Sequence, residues 1–281
     1  MLAAAALAAA RRAAVTSTSA PGRPPFWRCL AFAASGAPHL PLSSTPTSLA
    51  WADAPTARPP GADASGLRRA LLRLGGFYSR ETSIARGARG MYDAVKAHVD
   101  NPALAGALGL RPGTFADTHA LLCVHVWLLL VRLRPEGLDG KDAAQALYEN
   151  FSDDVEARVR AAGVKVRVGK WLAECEKMFY GAASAYDKAL GRPGVVGKEG
   201  DASAAEAAPA GAAARYALTD ALLRNLYAGD PANQGKAGAA ADYVLRELAC
   251  LAATPSDAVL SGALRFTAPV AKLAAVERAA A

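Results

Sequence analysis

Apolar positions crowd into one stretch of the chain. Leu121 to Leu133 carries a single polar residue, His125, and a single charge, Arg132. A helix that is apolar on nearly every face has to be enclosed by other elements or by lipid. Length separates the two cases: a bilayer span needs roughly 20 apolar residues, whereas runs of about 10–14 are more often buried core helices. This run is 13 residues long, with Asp117 and His119 just ahead of it. It reads as the central helix of a soluble helical domain, with insertion in a membrane as the alternative.

The flanking pattern is helical as well. From Lys141 to Ala162, Ala144, Leu147, Tyr148, Phe151, Val155 and Val159 recur at three- and four-residue steps, one apolar stripe. The opposite side carries Asp142, Glu149, Asp153, Asp154, Glu156, Arg158 and Arg160. Asp154–Arg158 and Glu156–Arg160 stand four apart with the acid first, the favourable order, and Gly163 is a natural stop. A third long helix is expected over Val166 to Leu190, with Val168, Leu172, Cys175, Phe179, Ala182, Tyr186 and Leu190 as its stripe. Three such helices with short connections pack as antiparallel neighbours. Shorter helices are expected near Leu67–Leu74, Ser83–Val99, just before Leu108, Arg215–Tyr227 and Ala239–Ala253. Pro135-Glu136-Gly137 should end the central helix, with the next beginning after Asp139-Gly140. Residues 191–214 read as a flexible insertion and Ser261–Pro269 as an extended tail laid over the body. The expected fold is all-α: a single bundle-like domain over 65–269 with about three long central helices, shorter flanking helices and an extended C-terminal tail, followed by a terminal segment over 270–281.

Composition changes this picture mainly at the N-terminus. The chain has 281 residues, and alanine inflates its 52% hydrophobic content without adding much burial. Of the net charge of +7, Arg11, Arg12, Arg23 and Arg28 supply 4 within the first 52 residues, which hold no acid; 7 − 4 leaves +3 for the rest. That balance does not argue for nucleic acid. Residues 1–52 read as an organelle targeting segment, because the arginines follow the apolar stretch where a secretory signal would place its charge first. Composition leaves mitochondrion and plastid open. Residues 53–64 read as linker. Cys29, Cys123, Cys175 and Cys250 lie far apart with no CxxC, as expected of reduced thiols used as small apolar fillers.

Candidate chemistry is sparse. His119 and Cys123 are four apart, a usable metal spacing, but a site needs three or four ligands, and His125 is turned to another face. Gly191 to Gly200 looks like a phosphate loop only at Gly197-Lys198; Glu199 stands where Ser or Thr is required. The acids Asp153, Asp154 and Glu156 read as a solvated face paired to arginines rather than a cation site. No serine sits in a nucleophile elbow. Phe179 and Tyr186 fall on the apolar stripe, while Tyr180 is one step off it, either rim packing or an anchor for a partner. From the residues alone the chain is a helical binding domain with no visible catalytic constellation. Two alternatives remain: a metal-binding or enzymatic protein using His119, Cys123 and His125, and a lipid-interacting protein with the central helix partly in the membrane.

An ordered series of motifs resembles a known family, the ubiquinol–cytochrome c chaperones, assembly factors of respiratory complex III. HVWLLLVRLR (His125 to Arg134) is similar to the family's L-H-V-W-[ML]-L core. QALYENFSDDVEARVRAAGV (Gln145 to Val164) is similar to its helix ending in D-x-E-x-R-x-R-x-x-G. VGKWLAECEKMFYGAASAYDKAL (Val168 to Leu190) resembles its F-Y-G-x-x-x-A-Y-D signature at Phe179, Tyr180, Gly181, Ala185, Tyr186 and Asp187, with Lys170 as one candidate for the upstream lysine. ALLRNLYAGD, DYVLRELACL and LSGALRFTAP are similar to its closing helices and tail. Two positions depart: the family pattern would place an aromatic near Thr118 and a threonine near Leu122. The resemblance implies a non-enzymatic mitochondrial protein without a cofactor, on the matrix side of the inner membrane and peripherally associated with it. It also implies a small helical co-chaperone, newly made cytochrome b as client, and proximity to the mitochondrial ribosome. His125, Trp127, Tyr180, Tyr186 and Asp187 are the family-motif candidates for partner binding, and a client-covering surface is expected to be an exposed apolar or aromatic groove rimmed by charge. Trp127 is expected in the core, and loss of the Asp187 side chain is expected to be mild for folding.

Overall fold

The computed structural model describes residues 79–191 and 211–266, and every regular element among them is helical. In chain order these are α1 (Arg80–Val99), α2 (Pro102–Ala107), α3 (Phe115–Leu133), α4 (Gly137–Ala161), α5 (Val168–Ala189), α6 (Ala212–Leu226), α7 (Gln234–Ala253) and α8 (Ser256–Leu260), with single 3-10 turns at Arg134–Glu136 and Pro231–Asn233. The expected short helix near Leu67, the targeting segment, the linker, most of the insertion and the end of the tail lie outside the described residues.

The greasiest helix lies at the centre. Helix α3 is touched by α1, α4, α5, α6 and α7. From Leu121 to Leu133 every side chain except Arg132 is buried. By length and composition this helix could cross a membrane, yet its apolar surface is taken up by its neighbours. Each fully buried Leu or Val there removes enough apolar area from water to contribute about 1.5–3 kcal/mol. The stripes predicted for α4 and α5 are the buried faces observed: Ala144, Leu147, Phe151, Val155 and Val159 on α4, and Cys175, Phe179, Ala182 and Tyr186 on α5. Tyr148 and Leu172 reach the core from its edge.

Helix ends follow local chemistry. The Ser79 side chain accepts from the Thr82 amide to start α1, and Asn101 caps α2 ahead of Pro102 at its first position. Helix α4 closes as a Schellman turn: Gly163 takes a φ of 91°, its N–H bonds Arg160 O, and the Val164 N–H reaches back to Val159 O.

Several boundaries differ from expectation. Helix α4 begins at Gly137, so Asp139-Gly140 lies inside its first turns rather than before them. The reason is contact: Gly140 is buried, and a Cβ there would overlap the Leu133 carbonyl oxygen at the end of α3. Helices α1, α6 and α7 each start earlier than the apolar spacing indicated, α6 at Ala212 inside the expected insertion. Helix α8 stands just ahead of the expected extended tail, which begins instead as a turn at Ser261-Gly262 before 263–266 run without helix. This segment presses on α1, where a Cβ on Gly87 would overlap the Leu260 carbonyl oxygen and one on Gly262 (φ 74°) would overlap Gly87 O.

Candidate functional site: a locked central helix and an apolar cleft at its N-terminal end

Four of the five candidate residues lie inside the bundle. His125 is fully buried on α3. Its Nδ1 lies 2.8 Å from Leu121 O, which can only accept, so Nδ1 carries the proton and donates. Nε2 is left to accept, and the Tyr243 hydroxyl donates to it at 2.7 Å. That hydroxyl oxygen in turn accepts from His98 Nε2 at 2.9 Å. One directed chain thus joins α1, α7 and α3. Phe266 lies across it, its ring centroid 5.2 Å from His98 and 5.0 Å from His125. Burial holds the His125 imidazole down at about 3, with His98 adding to the shift and the Leu121 carbonyl opposing it; burial likewise holds His98 at about 4. Both rings are neutral at pH 7.

Trp127, Tyr186 and Asp187 form a second lock, between α3 and α5. The Trp127 indole N–H donates to Asp187 Oδ1 at 3.0 Å, and the Trp127 and Tyr186 rings lie 5.2 Å apart. Arg134 reaches both Asp187 oxygens at 2.8 Å. Asp187 is 1% exposed. A carboxylate enclosed to that degree, with an indole and a guanidinium for partners, is a structural ion pair. The expectation of a mild Asp187 truncation does not fit this burial: removing the side chain takes away an enclosed acceptor shared by Trp127 and Arg134.

Tyr180 alone among the five reaches the surface. It is half-buried, stacked on Tyr148 of α4 at 6.1 Å with an 18° interplanar angle. Beneath the pair, Phe179, Phe151 and Tyr92 continue an aromatic column into the core. His119 closes this column, 5.8 Å from Phe115 and 6.1 Å from Phe151. Burial lowers His119 to about 4 and raises the Cys123 thiol. The two sit 3.7 Å apart as the sequence spacing implied, but no cluster of three His, Cys, Asp or Glu suited to a metal occurs among the described residues. Cys123, Cys175 and Cys250 are buried and unbridged.

Asp154 and Glu156 of α4 are engaged by cations. Asp154 receives Tyr92 Oη at 2.8 Å, Lys96 at 3.0 Å and Arg158 at 2.5 Å, and Arg158 also grips Asp100 at 2.9 Å. Burial would raise the Asp154 carboxyl, and these hydrogen bonds outweigh it to hold it below the usual range. Glu156 pairs with Arg160 at 2.6 Å.

A cleft of about 340 Å³ opens where α1 and α4 end and α3 begins. Val99, Ala105, Pro112, Phe115 and Leu121 give it apolar walls, and Arg111, Arg158 and Asp100 stand at its edge. None of the five candidates lines it. The sequence also left Tyr243, Phe266 and Arg134 without roles. Arg132, noticed only as an interruption of the apolar run, pairs with Glu136 and donates to Leu251 O and Thr254 O at 2.8 and 2.9 Å, stitching the end of α3 to the end of α7.

Sequence and structural relatives agree with one another. Over 80 residues, 28% of this chain, the sequence is 34% identical to "Ubiquinol-cytochrome c reductase complex assembly factor 1" of Mus musculus and 31% identical to that of Homo sapiens, in each case over 27% of the relative. The matched segment thus spans about a quarter of the length of these curated relatives. The crystal structure of the Cbp3 homolog from Brucella abortus superposes with a TM-score of 0.54 over 71% of this chain and 98% of that one, at 22% identity, a likeness of fold. The ubiquinol-cytochrome C chaperone family matches residues 107–266, which is α3 to the end of the described tail together with the last residues ahead of α3. The chain belongs to the ubiquinol-cytochrome c chaperone family.

Proposed function

We propose that the chain is a non-enzymatic assembly chaperone for respiratory complex III, which holds newly synthesised cytochrome b together with a small helical co-chaperone on the matrix side of the mitochondrial inner membrane. The observation that carries this reading is the family match across 107–266, the part of the molecule built around α3. The site chemistry agrees with it. The buried polar groups His125, Tyr243, Trp127 and Asp187 are spent on one another in joining helices. What faces outward is adhesive: the Tyr148–Tyr180 pair and the apolar cleft with Arg111 and Arg158 at its rim. Apolar walls with a charged rim are the usual make-up of a surface that covers another protein's greasy segment. On this reading Tyr180 touches a partner directly, whereas His125, Trp127, Tyr186 and Asp187 position the helices that carry the contact surface. Residues 1–52 deliver the chain to the organelle, 53–64 tether the helical domain, and 65–269 bind.

The test is deletion of the gene followed by difference spectroscopy of mitochondrial membranes. Cytochrome b and complex III should fall while other respiratory complexes remain. Unchanged cytochrome b spectra in a clean deletion would refute the proposal.

A further inference from the structure

The turn between α4 and α5 carries a combination found nowhere else on the described surface. Residues 157–173 hold five basic residues, Arg158, Arg160, Lys165, Arg167 and Lys170, and no acid. Lys165, Arg167 and Lys170 are exposed and form no ion pair with a described residue. Between them stands Val166, 74% exposed, one of the three large apolar side chains left bare on the described surface. Val164, Val168 and Trp171 flank it, half-buried against the core. Acids near this end are already engaged: Asp100 and Asp154 by Arg158, Glu156 by Arg160, Asp117 by Arg111. The first turn of α5 contains no acidic residue, so the positive end of its dipole adds to the same field.

The turn is shaped rather than loose. The Schellman closure at Gly163 and a left-handed Arg167 (φ 56°) at the start of α5 fix the direction in which 164–167 project. Ala161 and Ala162, the residues just before it, line the apolar cleft. Cationic tip and cleft therefore share one end of the bundle.

We infer that the α4–α5 turn is a docking face for an anionic phospholipid surface, on which Lys165, Arg167 and Lys170 meet phosphate headgroups while Val166 enters the headgroup–acyl boundary. Cations near an anionic bilayer gain from its surface potential, and an exposed aliphatic side chain beside a Trp is what an interface accepts. A nucleic acid would satisfy the charges through its phosphates but leave Val166 in water, and no fully exposed aromatic ring stands beside these cations for a base to stack on. Bilayer contact here would set the cleft beside the membrane from which an apolar client is handed over. The inference deepens the chaperone reading and rests on it for its biological sense, not for its physics.

Vesicle flotation of the full chain tests it, with phosphatidylcholine alone or mixed with phosphatidylglycerol. Wild type should partition onto the mixed vesicles, less so as salt rises, and little onto phosphatidylcholine. The variant Lys165→Gln/Arg167→Gln/Lys170→Gln should lose about 100-fold of that partition, roughly fivefold per cation. Val166→Ser should lose about fivefold while its salt dependence stays that of wild type. Both variants should melt as wild type does, since the replaced side chains are exposed. All forms share the same first 52 residues, so the difference between them reports the turn. Unchanged partition of the triple variant overturns the inference; so does single-stranded RNA binding lost in that variant while vesicle binding stays as in wild type. Capture of cytochrome b by the same proteins separates the two readings. Vesicle binding lost with capture kept supports the docking face, whereas capture failing in wild type sinks the chaperone reading and leaves the vesicle result standing.

Discussion

Asp187 sits one residue from Tyr186 and faces two partners on another part of the chain, Trp127 and Arg134. Trp127→Ala should destabilise the protein by about 3–5 kcal/mol, the range for truncating a buried aromatic. Asp187→Ala should cost about as much, because it removes an enclosed carboxylate that accepts from both the Trp127 indole and the Arg134 guanidinium. Thermal or urea unfolding measures both; a wild-type midpoint for either variant would place that side chain outside the lock. The Trp was legible as core from the apolar run around it. The Asp was not, because its partners stand 53 and 60 positions away and no local spacing announces them. Tyr243 was silent for the same reason: its value lies in bridging His98 and His125, which only the fold brings together.

Helices are most legible where periodicity is long. The stripes of α4 and α5 repeat for about four and about six turns, and a 3.6-residue rhythm sustained that far is the mark of a helix with one buried side. Their ends are less legible, because glycine serves opposite purposes. Gly163 is a stop, as expected, whereas Gly140 and Gly87 are helical residues kept small by a neighbouring backbone. Gly181 is a third kind: mid-helix in α5, exposed, with open space where a Cβ would go. Gly181→Ala should raise stability by about 1 kcal/mol through helix propensity alone. Gly140→Ala and Gly87→Ala should instead lower it by roughly 1–3 kcal/mol, the usual toll of overpacking against rigid backbone. Parallel melting curves of the three variants check the ordering; a stabilised Gly87→Ala would mean that α8 does not lie against α1.

At the scale of the whole molecule, three histidines are folded in as neutral rings. His98 and His119 are held near 4 and His125 near 3, against an ordinary value of 6.5. Below about pH 6.5 the unfolded chain binds protons that the folded one refuses, so stability falls as pH drops through the window from 6.5 towards 4 and is fully present above it. His119 and His125 should each account for on the order of 3 kcal/mol across that window. Urea midpoints from pH 7 to pH 4 measure the loss, and His125→Gln should flatten the slope; a midpoint that holds steady to pH 4 would show the rings to be accessible. The family itself was legible as an ordered series of short motifs along the chain. The cleft was not, since its walls come from the ends of α1 and α4, from α2 and from the start of α3, and no contiguous stretch describes it.

The close approach of Leu260 and Gly262 to Gly87 has a consequence for the order of events in the cell. Helix α1 packs chiefly on α4 and α3, but its Gly87–Met91 face is completed by a segment that leaves the ribosome more than 170 residues later, by the numbering of the chain. Until then Gly87, Gly90 and Met91 lack that cover. A chain interrupted before Leu260 can assemble its central helices yet leaves one face of α1 bare.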